Sequence, residues 1–193
     1  MSRKLRKTLF TGPDLRYYIL ICDGMGTGMG AAREGQSAAS LLQQMLSAGF
    51  PAEYAFRSVN SLLVLRGRAG AVTMDLAELQ LDSGRAVVYK WGAAPSYLIR
   101  DHGAEKIGTA TPPPGLSVTD GRETVERLSL RRGEVLIMVS DGVAGEEALR
   151  RIGRISAQPP GELAAKILQY GVQGAEDDAT VAAVTLLPGT TPI

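Results

Sequence analysis

The chain has 193 residues, of which 45% are hydrophobic, 21% charged and 5% aromatic, enough apolar mass for one domain with a sizeable core. Its 21 basic and 20 acidic residues leave a net charge of +1, so no overall field draws it to nucleic acid or acidic lipid. One cysteine excludes an internal disulfide and suits a reducing compartment, with the cytoplasm as the default.

No apolar run reaches the length of a membrane span, and no charged-then-apolar leader opens the chain. The basic cluster Arg3, Lys4, Arg6 and Lys7 reads as a solvated terminus rather than a polybasic anchor, which needs a second membrane signal. Leu15–Cys22 reads as a strand with much of both faces buried, running straight into Asp23-Gly24. After a glycine-rich turn, Ala38, Leu41, Leu42, Met45 and Leu46 recur at helical spacing, and Gly49 closes that helix. Pro51 suits the start of a second helix, whose apolar face is Ala52, Ala55, Phe56, Val59, Leu62 and Leu63.

The middle of the chain is mostly strand. Val72, Met74 and Leu76 alternate with the polar Thr73 and Asp75. Arg85–Trp91 follows the turn Asp82-Ser83-Gly84, and Ser96–Arg100 leads to a hairpin tip at His102. Pro112-Pro113-Pro114-Gly115 is a rigid loop, too short for a domain linker. Glu123–Leu128 and the apolar Glu134–Val139 are strands. Leu163, Ala164, Ile167, Leu168 and Tyr170 mark a late helix capped by Gly171, and Ala179–Leu187 is the last strand. Short strands at hairpin spacing with segregated helices predict an α+β fold with antiparallel sheets.

Three aspartates share one local design. Asp23 and Asp141 each end a buried strand and precede a glycine, and Asp177, with Asp178 beside it, immediately precedes the last strand. A carboxylate at the end of a core strand is held rigidly, and the following glycine lets the backbone turn or approach a ligand closely. Three such carboxylates converging would repel one another, and a hard divalent cation with oxygen ligands removes that conflict. Asp-Gly is also a common turn dipeptide, so on pattern alone metal binding and turn formation both stand. The single histidine, His102, cannot build a His-rich site, and a Ser-His-Asp triad would have to run through a turn. Cys22 sits in an apolar run and reads as a small buried hydrophobe, not a nucleophile. A rival reading takes Gly26-Thr27-Gly28-Met29-Gly30-Ala31 as a dinucleotide fingerprint. Against it, an acid at the strand end would face the pyrophosphate, and the next elements are helix-helix rather than a βαβ unit. No P-loop motif is present.

Four segments in order carry a resemblance: Ile21-Cys22-Asp23-Gly24-Met25-Gly26-Thr27-Gly28, Lys90-Trp91-Gly92-Ala93-Ala94-Pro95-Ser96-Tyr97, Val139-Ser140-Asp141-Gly142-Val143 and Asp177-Asp178-Ala179-Thr180-Val181. Together they resemble the signature of PPM-type metal-dependent serine/threonine phosphatases, in the branch of the bacterial sporulation stage II phosphatase and the sigma-regulatory phosphatases. Ser61–Arg66 and Thr73–Leu76 resemble that branch too. The resemblance runs from about Leu15 to the end of the chain. It implies two antiparallel sheets sandwiched between helical layers, and two ions of manganese or magnesium. Asp23 and the Gly24 carbonyl would hold those ions with Asp141, Asp177 and Asp178; the attacking group would be a metal-activated water, with no side-chain nucleophile and no organic cofactor.

The implied substrate is a phosphorylated regulatory protein such as an anti-sigma-factor antagonist. In this branch the two helices after the glycine loop would act as a switch. Two departures stand out. Only 22 residues precede Asp23, with Asp14 the one acid among them, where the family places a further strand and a nearby acid. The arginine that grips phosphate in many eukaryotic members has no matching counterpart here, with Arg3, Arg6 and Arg16 as weak candidates. The sequence thus predicts one domain, residues 1–193, lacking the most N-terminal strand. The edge beside Tyr17–Ile21 would then be open to a second copy or a regulatory partner.

Overall fold

The computed structural model describes residues 5–26, 28–66, 71–101, 103–116, 123–152, 158–172 and 178–186. In chain order the elements are β1 (Leu5–Thr11), β2 (Arg16–Gly24), α1 (Gly28–Ser47), α2 (Ala52–Leu65), β3 (Val72–Gln80), β4 (Arg85–Trp91), β5 (Ser96–Arg100), β6 (Gly103–Ile107), β7 (Thr124–Ser129), β8 (Val135–Val139), α3 (Gly145–Ile152), α4 (Pro160–Gly171) and β9 (Val181–Thr185). The first sheet runs β1-β2-β3-β4-β7 and the second β6-β5-β8-β9. Every ladder in both is antiparallel.

Three apolar layers account for the stacking. On one face of the first sheet, Leu20, Cys22, Met74, Leu76 and Trp91 meet Ala38, Leu42 and Leu46 of α1 and Ala55, Phe56 and Val59 of α2. The opposite face presents Ile19, Ile21, Ala77 and Val88 to Leu98, Leu136 and Met138 of the second sheet. The second sheet's outer face packs Ile99, Ile137 and Val139 on Leu149 of α3 and Leu163 and Ile167 of α4. The result is the expected helix-sheet-sheet-helix sandwich. Each fully buried Leu, Ile or Phe contributes about 1.5–3 kcal/mol, before the entropy of ordering is subtracted.

Several expectations are corrected. Arg6 and Lys7 are not in a solvated tail: they belong to β1, which pairs with β2 from Leu5↔Asp23 to Thr11↔Tyr17. The Tyr17–Ile21 strand is therefore an interior strand, flanked by β1 and β3. The half-buried Leu5, Thr8 and Phe10 alternate with exposed residues in β1, and Phe10 stacks on Tyr18 at 5.1 Å. Asp75, one of the polar positions in the Val72–Leu76 alternation, is 1% exposed, because the first sheet is covered on both faces. β2 and β3, on either side of the helix pair, are antiparallel neighbours, so the glycine loop does not open a βαβ unit and the dinucleotide reading lapses. The hairpin of β5 and β6 forms as expected, although its tip, His102, lies outside the described residues. No helix among the described residues is long and apolar enough to cross a membrane.

Candidate metal centre

Asp23 is carried to its place by a strand with an apolar, buried middle. Tyr18 through Cys22 are buried, and Asp23 follows them at 3% exposure, between Leu5 on one side and Thr73 on the other. Gly24 is required by space: a Cβ there would lie 1.8 Å from the Ala31 carbonyl oxygen at the start of α1. The strand end and the helix start touch, and the turn between them uses left-handed backbone at Gly26 and Gly28, which glycine adopts without steric cost. The Met25 amide closes this turn by donating to the Ala71 carbonyl at 2.8 Å.

Asp141 follows β8 and is exposed. Its neighbour Ser140 is buried and extends the β8–β9 ladder beyond the strands. The Ser140 amide donates to the Thr180 carbonyl at 3.0 Å, and the Thr180 amide donates to Ser140 Oγ at 2.9 Å. Ser140 Oγ in turn donates to the Asp178 carbonyl at 3.4 Å. These bonds hold the Asp178 segment beside Asp141. Asp177 lies outside the described residues.

A cleft of about 460 Å³ joins the two sheets at this end. Its walls include Leu5, Arg6 and Lys7 of β1, Ala32 and Gln36 of α1, and Asp178–Thr180 ahead of β9. Because Leu5 is the register partner of Asp23 and Thr180 is bonded to Ser140, Asp23, Asp141 and Asp178 belong to the same end of the sandwich. No group of three or more His, Cys, Asp or Glu at metal-holding spacing is found among the described residues. Of the arginine candidates, Arg6 lines the cleft. Arg16 sits at the opposite end of β2, paired with Glu78 at 2.9 Å, and Arg3 lies outside the described residues.

Beneath the cleft is a polar cluster the sequence analysis did not single out. Lys90 Nζ donates to Asp75 Oδ2 at 2.5 Å and to Ser96 Oγ at 2.9 Å, and all three residues are at most 1% exposed. Burial pushes the Asp75 carboxyl up, partly offset by the Lys90 charge and the Ser96 hydroxyl. Burial likewise pushes the Lys90 ammonium down, partly offset by Asp75. The available signal was a lysine inside the apolar strand Val87-Val88-Tyr89-Lys90-Trp91, which requires an acid within reach. Cys22 is buried, and burial followed by the charges of Asp75 and Asp23 pushes its thiol far above the ordinary range. It has no thiolate to offer as a nucleophile near neutral pH.

A profile of the family described as "Stage II sporulation protein E (SpoIIE)" matches residues 13–187. The stage II sporulation protein E of Priestia megaterium is 31% identical over 189 residues, covering 91% of this chain and 32% of that protein. The chain thus spans about a third or less of the length of the curated relatives it matches. Among solved structures, the PP2C phosphatase domain with a regulatory-domain fragment of SpoIIE from Bacillus subtilis superposes with a TM-score of 0.78 at 24% identity, over 95% of this chain and 58% of that one. RsbX in complex with magnesium superposes at 0.76 with 14% identity, over 94% of this chain and 86% of that one. The fold is that of the PP2C-type serine/threonine phosphatases, and the chain belongs to the SpoIIE family.

Proposed function

We propose that this chain, read as one phosphatase domain over residues 1–193, hydrolyses phosphoserine or phosphothreonine monoesters on a protein in a reaction that depends on manganese or magnesium. The observation that carries the reading is the cleft where the Asp23 strand end of one sheet meets the Asp178–Thr180 segment of the other. The residues present fit hard divalent ions: the donor set is oxygen, and the closeness of Gly24 to Ala31 leaves no room for a side chain beside the Asp23 turn. Asp23, the Gly24 carbonyl, Asp141, Asp177 and Asp178 would hold two ions. When bound, such ions supply Lewis acidity and an acidified water near neutral pH.

The chain's own residues perform the remaining tasks. Asp23 is fixed by a buried strand, so a ligand there needs little reorganisation. Ser140 orients both acidic segments of the second sheet through its three backbone partners, Thr180 N–H, Thr180 C=O and Asp178 C=O. Arg6 and Lys7 on the cleft wall place positive charge where a phosphoryl dianion would enter. The buried Cys22 takes no part. A regulatory phosphoprotein, such as an anti-sigma-factor antagonist, is the substrate to try first, and the cytoplasm is the compartment.

A second reading is a regulatory module that keeps the phosphatase fold with weak catalysis. The exposure of Asp141 favours it. Titrating manganese into the protein with a chromogenic phosphate ester separates the two. Saturable, metal-dependent turnover that disappears in Asp23→Asn supports the enzyme, whereas turnover indifferent to metal or to that substitution rules out this site.

A further inference from the structure

Among the described residues, the buried polar and charged side chains are Asp23, Asn60, Asp75, Lys90, Ser96 and Ser140. Asp23 and Ser140 belong to the candidate metal centre, and Asp75, Lys90 and Ser96 lie directly below it. Asp75 is opposite Ile21 in the β2–β3 ladder, two residues from Asp23 along β2. It is also opposite Lys90 in the β3–β4 ladder. Ser96 opens β5 in the other sheet, one residue before Tyr97, which pairs with Ile137 of β8. The Lys90–Ser96 bond therefore crosses from the sheet that carries Asp23 to the sheet that carries Asp141 and Asp178.

The rest of the inter-sheet layer is apolar, and apolar burial is non-directional. It holds two sheets together without dictating their stagger. A buried ammonium bonded to a carboxylate on one sheet and a hydroxyl on the other is directional, because a slip strands a charge in a dry interior. Stability is a poor explanation for such a pair, since well-packed apolar residues of similar volume are commonly as stable or more so. The aliphatic stem of Lys90 is also confined from the side. A Cβ on Gly108, whose φ is +87°, would lie 2.5 Å from Lys90 Cδ.

We propose that Lys90, held between Asp75 and Ser96, is a positioning residue that fixes the stagger of the two sheets and so the spacing of Asp23 from Asp141 and Asp178. This deepens the proposed function and rests on its reading of those aspartates as the metal-holding set. The double variant Asp75→Leu/Lys90→Met removes one negative and one positive charge together. The net charge beneath the site is unchanged, so a change in metal affinity reports geometry. Ser96→Ala severs the cross-sheet bond alone and leaves the ion pair in place.

The test uses the 193-residue chain, with manganese binding read from loss of the free-ion electron paramagnetic resonance signal, without turnover. Folding is followed by the fluorescence of Trp91, the single tryptophan, 3% exposed next to Lys90. The double variant is expected to unfold at or above the denaturant midpoint of the parent, yet bind manganese about tenfold more weakly, as when groups that orient metal ligands are lost. Ser96→Ala is expected to weaken binding to the folded protein about threefold, in line with one net hydrogen bond, and to lower the midpoint modestly, because the buried Lys90 loses one partner. If the double variant does not fold, Ser96→Ala decides alone. Unchanged manganese affinity in the folded variants overturns the proposal, as does affinity that falls only in step with stability. A parent chain that binds no manganese overturns the metal reading itself, and this proposal with it.

Discussion

The two ends of the sandwich are built from the same strands and handle polarity in opposite ways. At the far end, Arg16 meets Glu78 at 2.9 Å, and Arg100 meets Glu105 at 2.8 Å and Glu134 at 3.3 Å. Each of these arginines remains about two-fifths exposed, so water screens the pairs and each contributes at most about 1 kcal/mol. At the cleft end, Asp23, Asp75, Lys90, Ser96 and Ser140 are buried. There the loss of a single partner leaves a charge or dipole in a medium that cannot solvate it. The far end is a place where strands turn around. The cleft end holds chemistry-bearing groups still at a cost in desolvation that the apolar middle of the sandwich offsets.

The largest expected effect separates these ends by activity. Asp23→Asn should lower manganese-dependent ester hydrolysis by more than about 100-fold, beyond the range for groups that only orient ligands. Thermal unfolding should occur at the same temperature or higher, since a buried carboxylate is removed. A variant that loses fold and activity together would blur the comparison.

Two glycines then allow the same substitution at both ends. Gly24→Ala forces a methyl to within 1.8 Å of a backbone oxygen and should cost about 3 kcal/mol or more in a denaturant titration, the upper range for overpacking. Gly133→Ala, in the loop ahead of β8 at the far end, places its methyl in open space at φ +86°. It should cost only the left-handed strain of about 1–2 kcal/mol. Equal losses would erase the distinction between a steric requirement and a conformational one.

Smaller still is Arg16→Ala, which should shift stability by under about 1 kcal/mol and leave hydrolysis unchanged. Last comes a pH effect centred on Cys22. Its folded-state pKa is raised, by burial first and then by Asp75 and Asp23, so only the unfolded chain ionises as pH passes the ordinary thiol value of about 8.5. The stability held by the protonated thiol is fully present below that pH and is lost as pH rises above it. Cys22→Ala should flatten this part of a stability-versus-pH curve. In the native protein Cys22 should ignore a thiol-specific reagent that labels it once the chain unfolds, and ready labelling of the folded state would contradict its burial.

Where the sequence was legible, one physical signal dominated. β4 was read to the residue because Asp82-Ser83-Gly84 fixes its start, and α1 and α2 followed from apolar positions recurring on one face. β1 was missed because an edge strand that half-buries Leu5 toward the second sheet and Phe10 toward the helices carries the exposed Arg6 and Lys7 between them and looks like a charged tail. α3 was missed because its surface is two i,i+4 ion pairs, Glu146–Arg150 and Glu147–Arg151, over a buried stripe of little more than Ala148 and Leu149. At the candidate site, the position of Asp23 and Gly24 at the end of β2 was legible from an apolar run ending in Asp-Gly. The Asp75–Lys90 pair was not, because the two residues are 15 apart and meet only when β3 and β4 pair. Apolar-polar alternation does not show where Asp75 lies in a sheet covered on both sides, where both sets of positions are buried.

The contact between Gly24 and Ala31 also bears on how this protein tolerates variation. On the proposed reading position 23 needs a carboxylate for turnover alone, and a library selected only for soluble, folded protein should accept asparagine there. At position 24 the volume a methyl would need is already filled by the first turn of α1. The same library should return glycine before any selection for turnover is applied. Deep mutational profiles for folding and for hydrolysis should therefore diverge at one residue of the Asp-Gly dipeptide and coincide at its neighbour.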